Sequence, residues 1–317
     1  LLRVADRLAE RKDEFARAEA KDTGKRLVEA EGDMDDIASC FRHFGKIADQ
    51  DPGRLVDAGD ASVISRVVRE PVGVCGMITP WNFPLLQAAW KIAPALAAGN
   101  AFVIKPAELT PHTTMLMMEV LDELGLPKGV ANLVLGDGGT VGAPLSSHPQ
   151  IDLVSFTGGL VTGRKIAESA ATSIKKVALE LGGKNPNVVF ADADYEAALD
   201  NALNAGFLDS GLVCSAGTRL IVHESIAERF VDDLVARAEG IVMGGPFDES
   251  AETGPLISKA HREKVTDYVE RGVEAGARLR TGGHWGGPEH EKGFFYAPAV
   301  LDRCTRENPA VIEGGFG

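Results

Sequence analysis

Five short stretches of this 317-residue chain combine reactive side chains with glycines and small residues that leave room around them. Cys214 lies in GLVCSAGTR (211–219), where small neighbours leave its thiol open to a small substrate and able to act as a nucleophile once ionised. The competing reading is an inert core thiol, the commoner fate of a free cysteine. Glu180 follows Leu179 in LELGGK (179–184), and a carboxylate among Leu and Gly is expected to be partly desolvated, which lifts its pKa toward general-base usefulness. Asn82, in TPWNFP (79–84), offers an amide N–H to a ligand, or serves only as a turn or helix cap. Lys105 and Glu108, in KPAE, are three apart and suit the hydroxyls of an adenosine ribose. A carboxylate there would repel a 2′-phosphate, favouring NAD over NADP; alternatively the two residues form an exposed ion pair. Gly158, Gly159 and Gly163, in FTGGLVTG (156–163), let backbone N–H groups and a helix N-terminus approach a diphosphate, although the spacing is not G-x-G-x-x-G. Glu180, about 20 residues further on, then competes for the ribose role.

These stretches need strands and helices to hold them. Residues 73–79 read as a buried strand, 101–104, 131–135 and 153–157 as further strands and 176–180 as strand-like, with 85–98, 110–124, 139–147 and 163–171 as the helices between them. Such βα alternation predicts an α/β fold with a parallel sheet covered on both faces and right-handed crossovers. After GGKNP (182–186) a second series begins, with strands at 187–190 and 219–222 and helices at 196–205, 225–238 and 259–275. A glycine-rich loop is expected at 281–288 and a strand at 294–301. At the other end, residues 1–49 read as two amphipathic helices broken near Asp22, Thr23 and Gly24, and 62–70 alternate as a half-solvated strand projecting from the body.

Composition narrows the class. With 33 Lys plus Arg against 46 Asp plus Glu, the net charge of −13 disfavours nucleic acid as a partner. No apolar run is long enough to span a bilayer and no signal segment is visible, so the expected compartment is cytoplasmic. Cys40, Cys75, Cys214 and Cys304 lie far apart without zinc-type spacing, so neither a disulfide framework nor a metal site is expected. The chain opens at Leu1 within a helical pattern and stops at Gly317, which leads to the expectation of a fragment.

PWNFP, KPAE, FTGG-x-x-x-G, LELGGKNP and GLVCSAGTR, in this order and spacing, resemble the NAD(P)-dependent aldehyde dehydrogenase superfamily along the whole chain. Longer stretches such as ITPWNFPLLQAAWKIAPALAAGN look most like betaine-aldehyde dehydrogenases. The resemblance implies a Rossmann-type cofactor domain (73–182) preceded by N-terminal helices (1–50), an oligomerisation ribbon (51–72) and a C-terminally incomplete catalytic domain (183–317). It implies that Cys214 attacks the aldehyde, that Asn82 stabilises the oxyanion, that Glu180 activates the hydrolytic water, and that the charge of Lys91 helps hold the thiolate. Thr79, Pro80, Trp81, Lys105, Glu108, Gly158, Gly159, Gly163, Leu181, Gly182 and Phe316 fall on NAD-binding positions, which moves Glu180 away from the ribose. Phe83 and Trp90 fall where aromatic residues enclose a trimethylammonium group, against the alternative that both pack in the core. Where the family has E-E-x-F-G-P, this chain has Gly314 in place of the second Glu. The implied partners are a small aldehyde and, at full length, further copies in a dimer or tetramer. Alternatives are a catalytically impaired fragment that binds cofactor or assembles, a CoA-acylating relative and a thioesterase.

Overall fold

A computed structural model describes residues 1–50, 53–313 and 315–317. The chain divides into two compact units, Leu1–Asp22 with Glu31–Leu181 and Thr23–Ala30 with Gly182–Gly317.

Three helices, not two, open the chain: α1 (Leu2–Glu10), α2 (Lys12–Thr23) and α3 (Leu27–Ile47). The additional break falls at Arg11, whose backbone leaves helical geometry at φ −101°, ψ 18°. No Gly or Pro marks it; the Arg11 side chain binds Glu14 at 2.7 Å and lies over the Phe15 ring at 5.3 Å. An antiparallel ribbon follows, β1 (Arg54–Val56) on β2 (Ser65–Val67), shorter than the alternation at 62–70 suggests. Its apolar side chains face solvent, Leu55 at 80% exposure and the neighbouring Ile64 at 84%. Residues 51 and 52 of the expected ribbon lie outside the described residues.

The rest of the first unit is one sheet with its crossover helices: β3 (Val74–Ile78), α4 (Pro84–Ala97), β4 (Ala101–Lys105), α5 (His112–Glu123), β5 (Ala131–Leu133), α6 (Ala143–Ser147), β6 (Leu153–Gly158), α7 (Leu160–Ala171) and β7 (Lys176–Leu181). The strands lie in the order β5-β4-β3-β6-β7, all parallel. Ile78, Ile151, Val154, Phe156 and Ile166 form one buried cluster under β6 and α7. The inner strands β3, β4 and β6 are apolar and largely buried, as two covered faces require, whereas the edge strands β5 and β7 hold no buried residue.

In the second unit β8 (Pro186–Val189) and β9 (Arg219–Val222) pair in parallel around α8 (Tyr195–Phe207), and α9 (Glu224–Glu239) follows. Val189, Leu199, Ala202, Phe230 and Leu234 make their core. After α10 (Lys259–Glu274), β10 (Arg278–Thr281) pairs antiparallel with β11 (Val300–Asp302), and α11 (Pro309–Ile312) closes the unit. The strand expected at 294–301 is thus confined to β11. Pro298 interrupts the run, because it has no N–H for a ladder. β10 was not foreseen; Asp302 ties it down by accepting from Arg278 Nε and Arg280 Nη1, each at 2.9 Å. Among the described residues no helix is long and apolar enough to cross a membrane.

Candidate functional site

In the first unit the chain lays down β3, β4 and β5 toward one edge and then returns to place β6 and β7 on the other side of β3. The order therefore reverses between β3 and β6, the kind of place where open α/β sheets hold ligands outside their carboxyl ends. The stretches leaving those ends are the ones with reactive residues: 79–82 after β3, 105–108 after β4, 158–159 after β6 and 180–182 at the end of β7. Register aligns them, since Ile78 pairs with both Lys105 and Phe156, Thr157 with Glu180 and Gly158 with Leu181.

Lys91 points from α4 to this edge. It is buried, and its Nζ donates to Thr157 Oγ1 at 2.7 Å. Burial pulls its pKa from 10.5 to about 8, against the opposing pull of the Glu180 charge. Glu180 itself is exposed, which corrects the expectation of a desolvated carboxylate. The reason is that β7 is an edge strand in which only Leu179 and Leu181 are partly buried. Lys105 is buried; its Nζ donates to the Pro106 carbonyl at 2.7 Å and lies 3.4 Å from Glu108 Oε2. The ion pair therefore forms, yet the Glu108 side chain stays 56% exposed, so pairing and ribose binding are compatible.

Gly159 is the N-cap of α7 and contributes no capping side chain, which leaves first-turn N–H groups for water or an anion. A Cβ on Gly159 would meet nothing within 4 Å, whereas one on Gly163 would reach Leu181 at 2.6 Å. Gly159 thus leaves the approach open, and buried Gly163 lets α7 close on β7. Before α4, the Thr79 N–H donates to the Lys105 carbonyl at 3.2 Å, and the Trp81 carbonyl accepts from Thr110 Oγ1 at 3.4 Å. Pro80 is half-buried and Asn82 buried, and Phe83 is the N-cap residue of α4 without a capping side chain. That cap comes instead from Glu19, which sequence reasoning missed. Fully buried, it accepts from the Leu85 N–H at 3.4 Å and from Thr113 Oγ1 at 2.6 Å. Its signal is position, four residues after Phe15 on the buried face of α2. Phe83 is half-buried and Trp90 is 50% exposed, so neither belongs to the core.

In the second unit Cys214 is exposed, whereas Cys75 is buried and Cys40 and Cys304 are partly buried. Burial pushes the thiols of Cys40, Cys75 and Cys304 up, away from the thiolate form. The Cys214 and Ala216 carbonyls accept from Asn185 Nδ2 at 2.9 and 3.3 Å, which fixes the loop to the strand side of GGKNP. Just before it, Asp209, Ser210 and Gly211 have φ of 48°, 55° and 73°, three successive left-handed residues that no sequence signal announced. For the two with a Cβ this costs about 1–2 kcal/mol each. Gly182 is exposed. Phe316 is half-buried with φ 61°, and its carbonyl meets His261 Nε2 at 2.5 Å. Gly314 lies outside the described residues. The structure thus groups Lys91, Thr157 and Glu180 within one unit and Asn185 with Cys214 within the other.

The family description "Aldehyde dehydrogenase family" matches residues 1–317. The betaine aldehyde dehydrogenase of Bacillus subtilis is 52% identical over 318 residues, which cover 100% of this chain and 65% of that protein. The peroxisomal aminoaldehyde dehydrogenase 2 of Malus domestica is 43% identical, with 99% and 63% covered. A crystal structure of betaine aldehyde dehydrogenase from Staphylococcus aureus in complex with NAD+ superposes with a TM-score of 0.98 at 46% identity, covering 100% of this chain and 63% of that one. The chain therefore spans 63–65% of the length of these curated relatives.

Proposed function

Because the chain belongs to the aldehyde dehydrogenase family, we propose that it carries the chemistry of an enzyme that oxidises an aldehyde, betaine aldehyde foremost, to the carboxylate with NAD+. The observation that carries this reading is Cys214, the exposed thiol among four cysteines of which the other three are held back by burial. Its thiolate adds to the aldehyde carbon, giving a thiohemiacetal, and the Asn82 amide with the Cys214 backbone N–H stabilises the oxyanion. One such donor is worth roughly 10²–10³ in rate. When bound, NAD+ supplies the oxidation by accepting a hydride. Cys214 then carries the acyl group as a thioester until Glu180 takes a proton from the attacking water, releasing carboxylate and restoring the thiol. An exposed Glu180 suits a base that must meet water.

The residues fit a dinucleotide. Lys105 and Glu108 would hold the adenosine ribose, and the uncapped start of α7 with Gly158 and Gly159 the diphosphate. Thr79, Pro80, Trp81, Leu181, Gly182 and Phe316 would line the remainder. Lys91 supplies positive charge near the reaction, and Phe83 with Trp90 offers aromatic faces to a trimethylammonium group. The solvent-facing Leu55 and Ile64 of the β1–β2 ribbon support assembly with further copies. Free cysteines suit the cytoplasm, where thiols stay reduced.

The test is NADH formation at 340 nm with betaine aldehyde and a panel of other aldehydes. Cys214→Ala is expected to abolish it while NAD+ binding persists; turnover retained by that variant would remove the proposal.

A further inference from the structure

The left-handed turn before Cys214 is held from outside itself. Among the described residues five non-glycine positions have positive φ, and only Asp209 and Ser210 are adjacent. The Asp209 N–H donates to Glu29 Oε1 at 3.2 Å. The Asp209 carboxylate lies 3.8 Å from Lys25 Nζ, with both side chains almost wholly buried. Ser210 Oγ donates to the Gly254 carbonyl at 2.8 Å and lies 3.0 Å from Thr253 Oγ1. The segment that supplies Lys25 and Glu29 is itself anchored. Its Leu27 N–H donates to the Pro246 carbonyl at 2.9 Å, and Arg26 donates to the Ala251 carbonyl at 3.3 Å and to Glu29 Oε1 at 3.0 Å. A short piece of the N-terminal region is thus built into the second unit, against the turn that leads into GLVCSAGTR.

We propose that Lys25 and Glu29 are positioning residues that keep Asp209 and Ser210 left-handed and thereby set where the Cys214 thiol stands. Strained backbone persists only where its surroundings over-determine it, and here the surroundings are two charged side chains about 180 positions away in sequence. The role of that placement in catalysis rests on Cys214 being the nucleophile, as proposed above; the placement itself is measurable without turnover.

The experiment is alkylation of the folded chain by iodoacetamide, in which the thiolate displaces iodide, followed site by site by peptide mapping. Glu29→Ala removes the acceptor for the Asp209 N–H, whereas Glu29→Gln keeps an amide oxygen in its place. The expected result is a Cys214 rate at least fivefold different from wild type in Glu29→Ala and within twofold in Glu29→Gln, with Cys40 and Cys304 unchanged in both. A Cys214 rate within twofold of wild type in Glu29→Ala overturns the proposal. So does an equal change at all three cysteines, which is what general loosening would give. Should Glu29→Ala fail to fold, Glu29→Asp, whose shorter side chain draws the carboxylate back from the Asp209 N–H, is judged by the same rates. Absence of NADH formation would count against the dehydrogenase reading and leave these rates untouched.

Discussion

Lys91 lets the structure be tested through stability as well as chemistry. Its ammonium is buried, and burial lowers its pKa from 10.5 to about 8. At about 1.36 kcal/mol per pKa unit, keeping that charge folded at pH 7 costs about 3 kcal/mol. The hydrogen bond to Thr157 Oγ1 at 2.7 Å returns about 1 kcal/mol of this. Lys91→Met, close in volume and uncharged, is therefore expected to stabilise the protein by about 2 kcal/mol at pH 7. The pH dependence has a fixed sign. The folded chain binds this proton more weakly than the unfolded chain, so unfolding takes up a proton between about pH 8 and 10.5, and wild-type stability rises across that window. The advantage of Lys91→Met should be flat below pH 8 and shrink above it. Urea titrations of both proteins from pH 6.5 to 10 measure this directly. A Lys91→Met protein less stable than wild type at pH 7, or a difference indifferent to pH, would refute the reasoning. Stabilisation accompanied by loss of turnover would identify a buried charge retained for function at the expense of stability.

Other outcomes can be read with similar assays. On the proposed function, Trp90→Ala should raise KM for a trimethylammonium aldehyde by roughly 2- to 30-fold, the value of a cation–π contact of about 0.5–2 kcal/mol, and leave KM for its neutral isostere unchanged. Glu19→Ala leaves the Leu85 N–H and the Thr113 hydroxyl without their acceptor and should lower stability by about 2–3 kcal/mol, seen as a lower urea midpoint at constant slope. Asp302 is held below the usual carboxylate range by its hydrogen bonds from Arg278 and then Arg280, so its contribution is present above pH 3.8 and fades as pH falls through its own lower pKa. Asp302→Asn should accordingly cost about 1 kcal/mol at pH 7 and converge with wild type in acid.

Local chemistry was well written in the sequence. The β3 to α4 and β9 to α9 units follow runs of apolar residues whose period and bounding turns leave little choice, and the reactive residues could be assigned to strand ends because βα alternation fixes where loops fall. What depends on distant neighbours was not legible. The break at Arg11 has no glycine or proline behind it, and beyond Glu14 and Phe15 its guanidinium lies 3.6 Å from Glu123 of α5, far along the chain. Glu180 was expected to be desolvated by adjacent leucines, but alternation on an edge strand turns it away from them. Asp209 and Ser210 are left-handed because Lys25, Glu29 and Thr253 hold them, a constraint set by contacts across the sequence rather than by residue type. Glu19 was invisible for the same reason, since capping usually comes from the residue beside the helix.

The central place of β3 has a consequence for how the chain is made. Cys75 pairs with Phe102 on one side and Leu153 on the other, 27 and 78 positions further along. At roughly 5–20 residues per second of synthesis, the second edge of this apolar strand waits on the order of 4–16 s after the strand is complete. Val74–Ile78 carries neither a charge nor a proline to discourage a wrong partner. The strand around which the candidate crevice is organised is therefore the one a nascent chain must shield longest, and mutations that slow the arrival of β6 should first appear as aggregation during expression.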